Sequence, residues 1–185
     1  MKRIFAAVKI DPGENLTELL YSLKKRLKHD KINWVQLHNM HITLKFFGET
    51  HEDEIPGICS HLTEIASQNT SFDLTLRDTG VFGSYYKPSV IWIGIEPNSA
   101  LIKLGTDVLD RMDNIGYKKD RQNFVPHLTL GRIKYTSDKS YFNEVIEDFK
   151  NLAIQSQSVD SFHLIESKLS SEGPEYTTIE SFSLQ

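Results

Sequence analysis

Apolar residues along the chain recur with two periods, one of strands and one of helices. Arg3–Ile10 is a run of Phe, Ala, Val and Ile that stops at Asp11-Pro12-Gly13, predicting a buried strand and then a turn. Leu16, Leu19, Leu20, Leu23 and Leu27 follow at helical spacing. Lys24, Lys25, Arg26 and Lys28 fall mostly on other faces of that helix, and the basic run reads as a solvated face. Trp34-Val35 predicts a short strand, and His41–Phe47 a longer one ended by Gly48. His51–Gln68 predicts a second helix, with Pro56 tolerated in its first turn.

The second half of the chain reads similarly. Phe72, Leu74 and Leu76 alternate with polar neighbours in a strand running towards Phe82, and Gly83–Pro88 is a loop carrying Tyr85 and Tyr86. Val90–Ile95 is a continuous apolar strand. Asn98 or Ser99 can cap a third helix through Leu101, Leu104, Val108, Leu109 and Met112, which stops at Gly116. Tyr117–Val125 is a loop with Lys118, Lys119 and Arg121, and Pro126 biases the chain towards extended geometry ahead of a strand over His127–Ile133. Tyr141–Leu152 predicts a fourth helix, and Val159–Glu166 with Tyr176–Phe182 a closing hairpin around Ser171–Pro174.

Several strand pairs lack a helix between them, which predicts an α+β fold with antiparallel pairing. The order of elements hints at two related halves, and no linker or low-complexity segment separates them. The chain, residues 1–185, is therefore expected to be a single domain of two intertwined lobes.

Two predicted strands carry the same four-residue pattern. His41-Ile42-Thr43-Leu44 and His127-Leu128-Thr129-Leu130 lie 86 residues apart (127 − 41). In a strand, positions i and i+2 share a face, so each His points with its Thr while the apolar pair points to the core. Side by side, such strands would present two imidazoles and two hydroxyls across one cleft. One imidazole can take a proton while the other gives one, near neutral pH and without a metal. His61-Leu62-Thr63 also spells His-apolar-Thr but lies mid-helix, where i and i+2 diverge by about 200°.

Composition narrows the class. A formal charge of −4 argues against a protein that coats long nucleic acid, while leaving room for one short nucleotide end. Cys59 is the only cysteine, which excludes an internal disulfide or a Cys-based zinc site and suits a reducing cytoplasm. Lys9 and Asp11 cut the first apolar run too short for a signal peptide, and no stretch approaches the ~20 apolar residues of a membrane span.

Taken together, these segments resemble the 2H phosphoesterase superfamily, and within it the bacterial RNA 2′,3′-cyclic phosphodiesterases, once called 2′-5′ RNA ligases. Asn39 through Glu49 is similar to that family's first signature, and Phe124 with Pro126 through Arg132 to its second. Val81-Phe82, Pro88 to Trp92 and Gly94 resemble its middle strands; Leu164 through Ser167, Leu169, Gly173 and Tyr176 resemble its C-terminal hairpin. Val125 departs from the basic residue that many members carry there.

The resemblance implies a bilobal fold, with two pseudo-symmetric, mainly antiparallel sheets flanked by helices around a central cleft. It also implies cofactor-free, metal-independent opening of a 2′,3′-cyclic phosphate on an RNA 3′ end or nucleotide, by a cytoplasmic monomer. His41 is then the acid and His127 the base, although the near-identity of the motifs leaves that assignment open. Thr43, Thr129 and Arg132 hold the phosphate and Phe46 stacks a base. Strict alternation places Phe46 and Arg132 opposite the histidines, so reaching the cleft needs a bulge or a strand end. A core role for Phe46 and a plain surface cation at Arg132 remain the competing readings. His29, His38, His51, His61 and His163 read as surface, packing or satisfied edge residues, and Trp92 as buried in a sheet. Three functions compete with cyclic-phosphate hydrolysis: a metal site at His41 and His127, a non-catalytic RNA-end binder, and an enzyme of the same kind acting on a 2′-5′ linkage or a small cyclic nucleotide.

Overall fold

The structure, a computed structural model, describes residues 1–118, 124–171 and 173–185. Lys119 and Arg121 of the predicted basic loop lie outside the described residues. The elements run β1 (Lys2–Lys9), α1 (Glu14–Arg26), β2 (Lys31–Trp34), β3 (His41–Thr50), α2 (Ile55–Ala66), β4 (Phe72–Ser84), β5 (Lys87–Ile95), α3 (Ser99–Asn114), β6 (His127–Tyr135), α4 (Lys139–Glu147), β7 (Ala153–Val159), β8 (Ser161–Ser170) and β9 (Gly173–Ser183). The caps follow the sequence. Asn98 accepts from the Leu101 amide at the head of α3, and Pro56 sits in the first turn of α2.

All the pairings among these strands are antiparallel, in the order β7-β4-β5-β6-β3-β1-β8-β9, with β2 also on β6. The order is symmetric about the β6/β3 seam: each motif strand is followed outward by three more. The α+β class and antiparallel pairing hold. The two expected sheets are halves of one curled sheet, joined by the single pair Ile42–Leu128.

One face of this sheet is covered by helices. Ile4, Ala6 and Val8 of β1, Ile42 and Leu44 of β3, Ile91 and Ile93 of β5, and Leu128 and Leu130 of β6 join Leu16, Leu20 and Leu23 of α1, Ile58 and Leu62 of α2, and Leu104 and Val108 of α3 in one core. On the opposite face of β1, Phe5 and Ala7 meet Ile165 and Tyr176 in a small apolar floor. Being covered on both faces explains why β1 reads as an uninterrupted apolar run.

β7 lies outside the predicted strands. Its sequence, AIQSQSV, is polar because it is an edge strand, paired among the described strands with β4. Its glutamines hold the β1–α1 turn instead: Gln155 accepts from the Gly13 amide and donates to the Asp11 carbonyl, and Gln157 accepts from the Asp11 amide and donates to the Lys9 carbonyl. The turn after β1, in one half, is thus held by the outermost strand of the other.

Gly80 on β4 is set against Trp92 on β5. A Cβ there would lie 2.2 Å from the indole. Gly80→Ala is expected to push Trp92 off the sheet and cost about 1–3 kcal/mol, as overpacking does. Chemical unfolding followed by tryptophan fluorescence measures both effects, and an unchanged midpoint would contradict this packing.

Candidate active site

Both motif histidines are the first residues of their strands. The same local bond holds each of them. Nδ1 of His41 lies 2.7 Å from the Asn39 carbonyl, and Nδ1 of His127 lies 2.9 Å from the Val125 carbonyl. A carbonyl oxygen only accepts, so in both rings Nδ1 carries the hydrogen and Nε2 is left for chemistry. Asn39 is itself buried, and its side chain donates to the Pro174 carbonyl at the start of β9. The carbonyl that orients His41 is therefore anchored to the β8–β9 hairpin.

The Ile42–Leu128 pair sets the register between the motifs. His41 and Thr43 flank this pair on one strand, and His127 and Thr129 flank it on the other. Ile42 and Leu128 are both fully buried, and the side chains flanking them turn the other way.

Phe46 and Arg132 reach the cleft face through matched irregularities. Along β3, Thr43 pairs with Ala7 and Lys45 with Ala6, so Leu44 is an extra residue. Along β6, Thr129 pairs with Trp92 and Gly131 with Ile91, so Leu130 is an extra residue. These are equivalent positions, 86 apart (130 − 44). Each bulge shifts the alternation by one and brings round the side chain two positions later. Phe46 is 43% exposed, which sets aside a core role, and its ring stacks 6.4 Å from that of Phe5.

His41, Thr43, Phe46, Thr129 and Arg132 line one cleft of about 600 Å³. His127 is not among its lining residues. It stands at the margin, half-buried, with its ring edge-on to Phe82 at 4.8 Å. Arg3, Phe5 and Tyr176, which periodicity did not single out as site residues, belong to the same cleft. Phe5 lies 4.8 Å and Tyr176 5.3 Å from the His41 ring, and the Arg3 guanidinium sits 4.8 Å over Phe46. The alternation Arg3-Phe5-Ala7 against Ile4-Ala6-Val8 carried the signal for the first two. Nothing local marked Tyr176 apart from its place in the hairpin resemblance.

Burial pushes the pKa of His41 below its ordinary value; the Asn39 hydrogen bond opposes this, and the charges of Arg132 and His127 lower it further. Burial likewise raises that of Tyr176, with Arg132 and Arg3 pulling it back down. Cationic side chains thus act on both of the cleft's shifted groups. Among the described residues no three His, Cys, Asp or Glu side chains gather as a metal site, and no helix is long and apolar enough to cross a membrane.

The other histidines lie elsewhere. His29, His38 and His51 are exposed, and His61 sits on α2 beside Arg111 and Glu64. His163 is half-buried with Nδ1 2.9 Å from the Ser181 hydroxyl.

Residues 11–170 match the family model of the 2′-5′ RNA ligase superfamily. The chain belongs to that superfamily. Among its relatives, the RNA 2′,3′-cyclic phosphodiesterase of Aquifex aeolicus is 32% identical over 100% of this chain and 99% of its own. The enzyme of that name from Thermotoga maritima is 33% identical over 96% and 92%. Among solved structures, the protein TT0787 of Thermus thermophilus superposes with a TM-score of 0.78 at 26% identity, over 98% of this chain and 97% of that one. LigT of E. coli complexed with 3′-AMP has the same fold, with a TM-score of 0.78 at 23% identity over 100% and 98%. The family resemblance read from the motifs is borne out, and so is the fold it implied.

The lowered pKa of His41 fixes the sign of one pH effect. The unfolded chain takes up a proton at His41 near the ordinary value of 6.5, while the folded chain resists it. The folded state is therefore favoured above that pH and loses stability as pH falls below it. Urea unfolding at about pH 5 and about pH 7.5 should show a smaller loss for His41→Asn than for the parent protein. An equal loss would mean that His41 is not buried as a neutral ring.

Proposed function

We propose that this chain hydrolyses 2′,3′-cyclic phosphates at RNA ends to 2′-phosphomonoesters, with His41 and His127 as its acid and base. The enzyme class rests on the full-length relatives named RNA 2′,3′-cyclic phosphodiesterase. The observation that carries the residue roles is the matched pair of imidazoles, each tethered through Nδ1 to the carbonyl two residues back on strands that meet at Ile42 and Leu128.

In this reading His127 takes a proton from water as its oxygen bonds to phosphorus. The bond from phosphorus to the 3′ oxygen breaks, and His41 gives that oxygen a proton. Negative charge builds on the phosphoryl oxygens meanwhile. The hydroxyls of Thr43 and Thr129 donate to those oxygens and the Arg132 guanidinium neutralises them, which is stabilisation of the oxyanion-hole kind. Phe46 offers its exposed ring to the terminal base. An acid must hold its proton at working pH, and the unliganded cleft keeps His41 below its ordinary value. A phosphodiester anion bound beside the ring favours the protonated form again.

The neighbours of each His at i+2 are hydroxyls, weak zinc partners beside His, Cys or carboxylate, so the reaction is proposed to run without metal or cofactor. Both halves of the site come from one chain, which supports a single domain of two intertwined lobes acting as a monomer. The lone Cys59 fits a reducing cytoplasm.

Two measurements test the roles. The rate against pH should be bell-shaped, since one imidazole must be neutral and the other charged. A profile that only rises with pH would count against the pair. On a natural cyclic phosphate, His41→Ala and His127→Ala should each lose at least ~10²-fold. On a substrate whose leaving group departs without a proton, His41→Ala should recover much of that loss and His127→Ala should not. Recovery by His127→Ala instead would reverse the assignment, and near-parental activity in both would make the pair structural.

A further inference from the structure

The half of the sheet that carries His127 extends beyond the cleft as an exposed hairpin. β4 and β5 are joined by the two-residue turn Tyr85-Tyr86, flanked by the pair Ser84–Lys87. The tyrosines are 53% and 76% exposed, and their rings meet edge to face at 5.4 Å. Nζ of Lys139, at the head of α4, lies 6.0 Å over the Tyr86 ring. Rings this exposed add little to the core, and a polar pair would serve the turn equally well. Back along the same strand, Phe82 is 36% exposed and its ring rests on His127. Exposed aromatic side chains therefore stand both beside the motif histidine and at the hairpin tip.

The charge along this strip differs from that of the chain. No Asp or Glu occurs from Thr79 to Ile95 or from Phe124 to Ser137, although 25 acids are spread over 185 residues. At that average, these 31 residues would carry about four. They carry Lys87, Arg132 and Lys134 instead, all exposed. Arg132 is paired through its backbone with Val90, next to the hairpin. The acids at its margins are engaged: Asp138 accepts from the Ser140 and Tyr141 amides as the cap of α4, Asp30 from the Ser137 amide and hydroxyl, and Asp78 from the Asn151 amide, while Glu96 pairs with Arg77.

We propose that the β4–β5 hairpin is a second RNA-binding surface, on which Tyr85 and Tyr86 stack unpaired bases of the strand leading to the reactive 3′ end. Lys87 and Lys134 face the phosphates of that strand. The partner is single-stranded RNA: exposed rings stack on any base, and exposed lysines without acids on their own strands follow a backbone without reading sequence. The inference rests on the reading of the cleft as the site of an RNA end.

The test compares two substrates, a nucleoside 2′,3′-cyclic phosphate and a single-stranded RNA of about eight nucleotides with the same end, within the ~4–16 nucleotides of known single-strand sites. The variants are Tyr85→Ala/Tyr86→Ala and Tyr85→Phe/Tyr86→Phe, both at a solvent-exposed turn. The alanine pair should raise KM for the oligonucleotide roughly fivefold or more, the lower end of what loss of base stacking costs. Its kcat, and its KM for the mononucleotide, should stay unchanged, and the phenylalanine pair should behave like the parent. Unchanged oligonucleotide affinity in the alanine pair overturns the proposal, as does an equal loss on the mononucleotide. If the parent protein turns over neither substrate, the reading of the cleft fails. Direct titration of the oligonucleotide by fluorescence anisotropy then still decides the surface: a fivefold weaker Kd in the alanine pair supports it, and an unchanged one overturns it.

Discussion

A single backbone pair, Ile42 with Leu128, decides how the two motifs meet. Both side chains are fully buried under the helices, so neither strand can slip by one residue without driving a His and a Thr into the core. Burial of two aliphatic side chains thereby sets the register of the polar ones. The strands share only this pair and then part, which opens the cleft while the chemistry-bearing residues stay in step.

The bulges at Leu44 and Leu130 add the next level of control. Both leucines remain buried while the strand beyond them turns over. The residues that follow then differ between the halves. Lys45 is buried and donates to the Lys118 carbonyl, whereas Gly131 leaves room for Ile32 and Trp34 of β2, whose atoms a Cβ would approach at 2.7 and 3.0 Å. A nearly symmetric pair of motifs is thus set in an asymmetric wall. Phe46 with Arg3 comes from one half and Arg132 from the other.

Local charge departs from the average. The chain is net negative, yet among the described residues lining the cleft Arg3 and Arg132 are the charged side chains other than histidine. An anionic group in the cleft would meet these cations and the Thr43 and Thr129 hydroxyls, with no carboxylate among the described lining residues. Burial also disfavours the protonated form of His41, and an anion placed beside the ring would favour it.

Element types, the core faces of the motif strands and the doubled His-x-Thr pattern were legible along the chain, because they depend on periods of 2 and 3.6 residues that it carries locally. The same local reading dismissed His61, whose helical setting turns its Thr away. Contacts between distant segments settled the rest. Whether Phe46 and Arg132 face the cleft turned on single inserted residues at Leu44 and Leu130, which are visible only once Ala6, Ala7, Ile91 and Trp92 stand opposite them. β7 stayed hidden because its stability comes from β4 and from glutamines holding a distant turn, and its own residues are polar. Tyr176 joins His41 across 135 residues of chain (176 − 41), a contact made by sheet order, which no local period encodes.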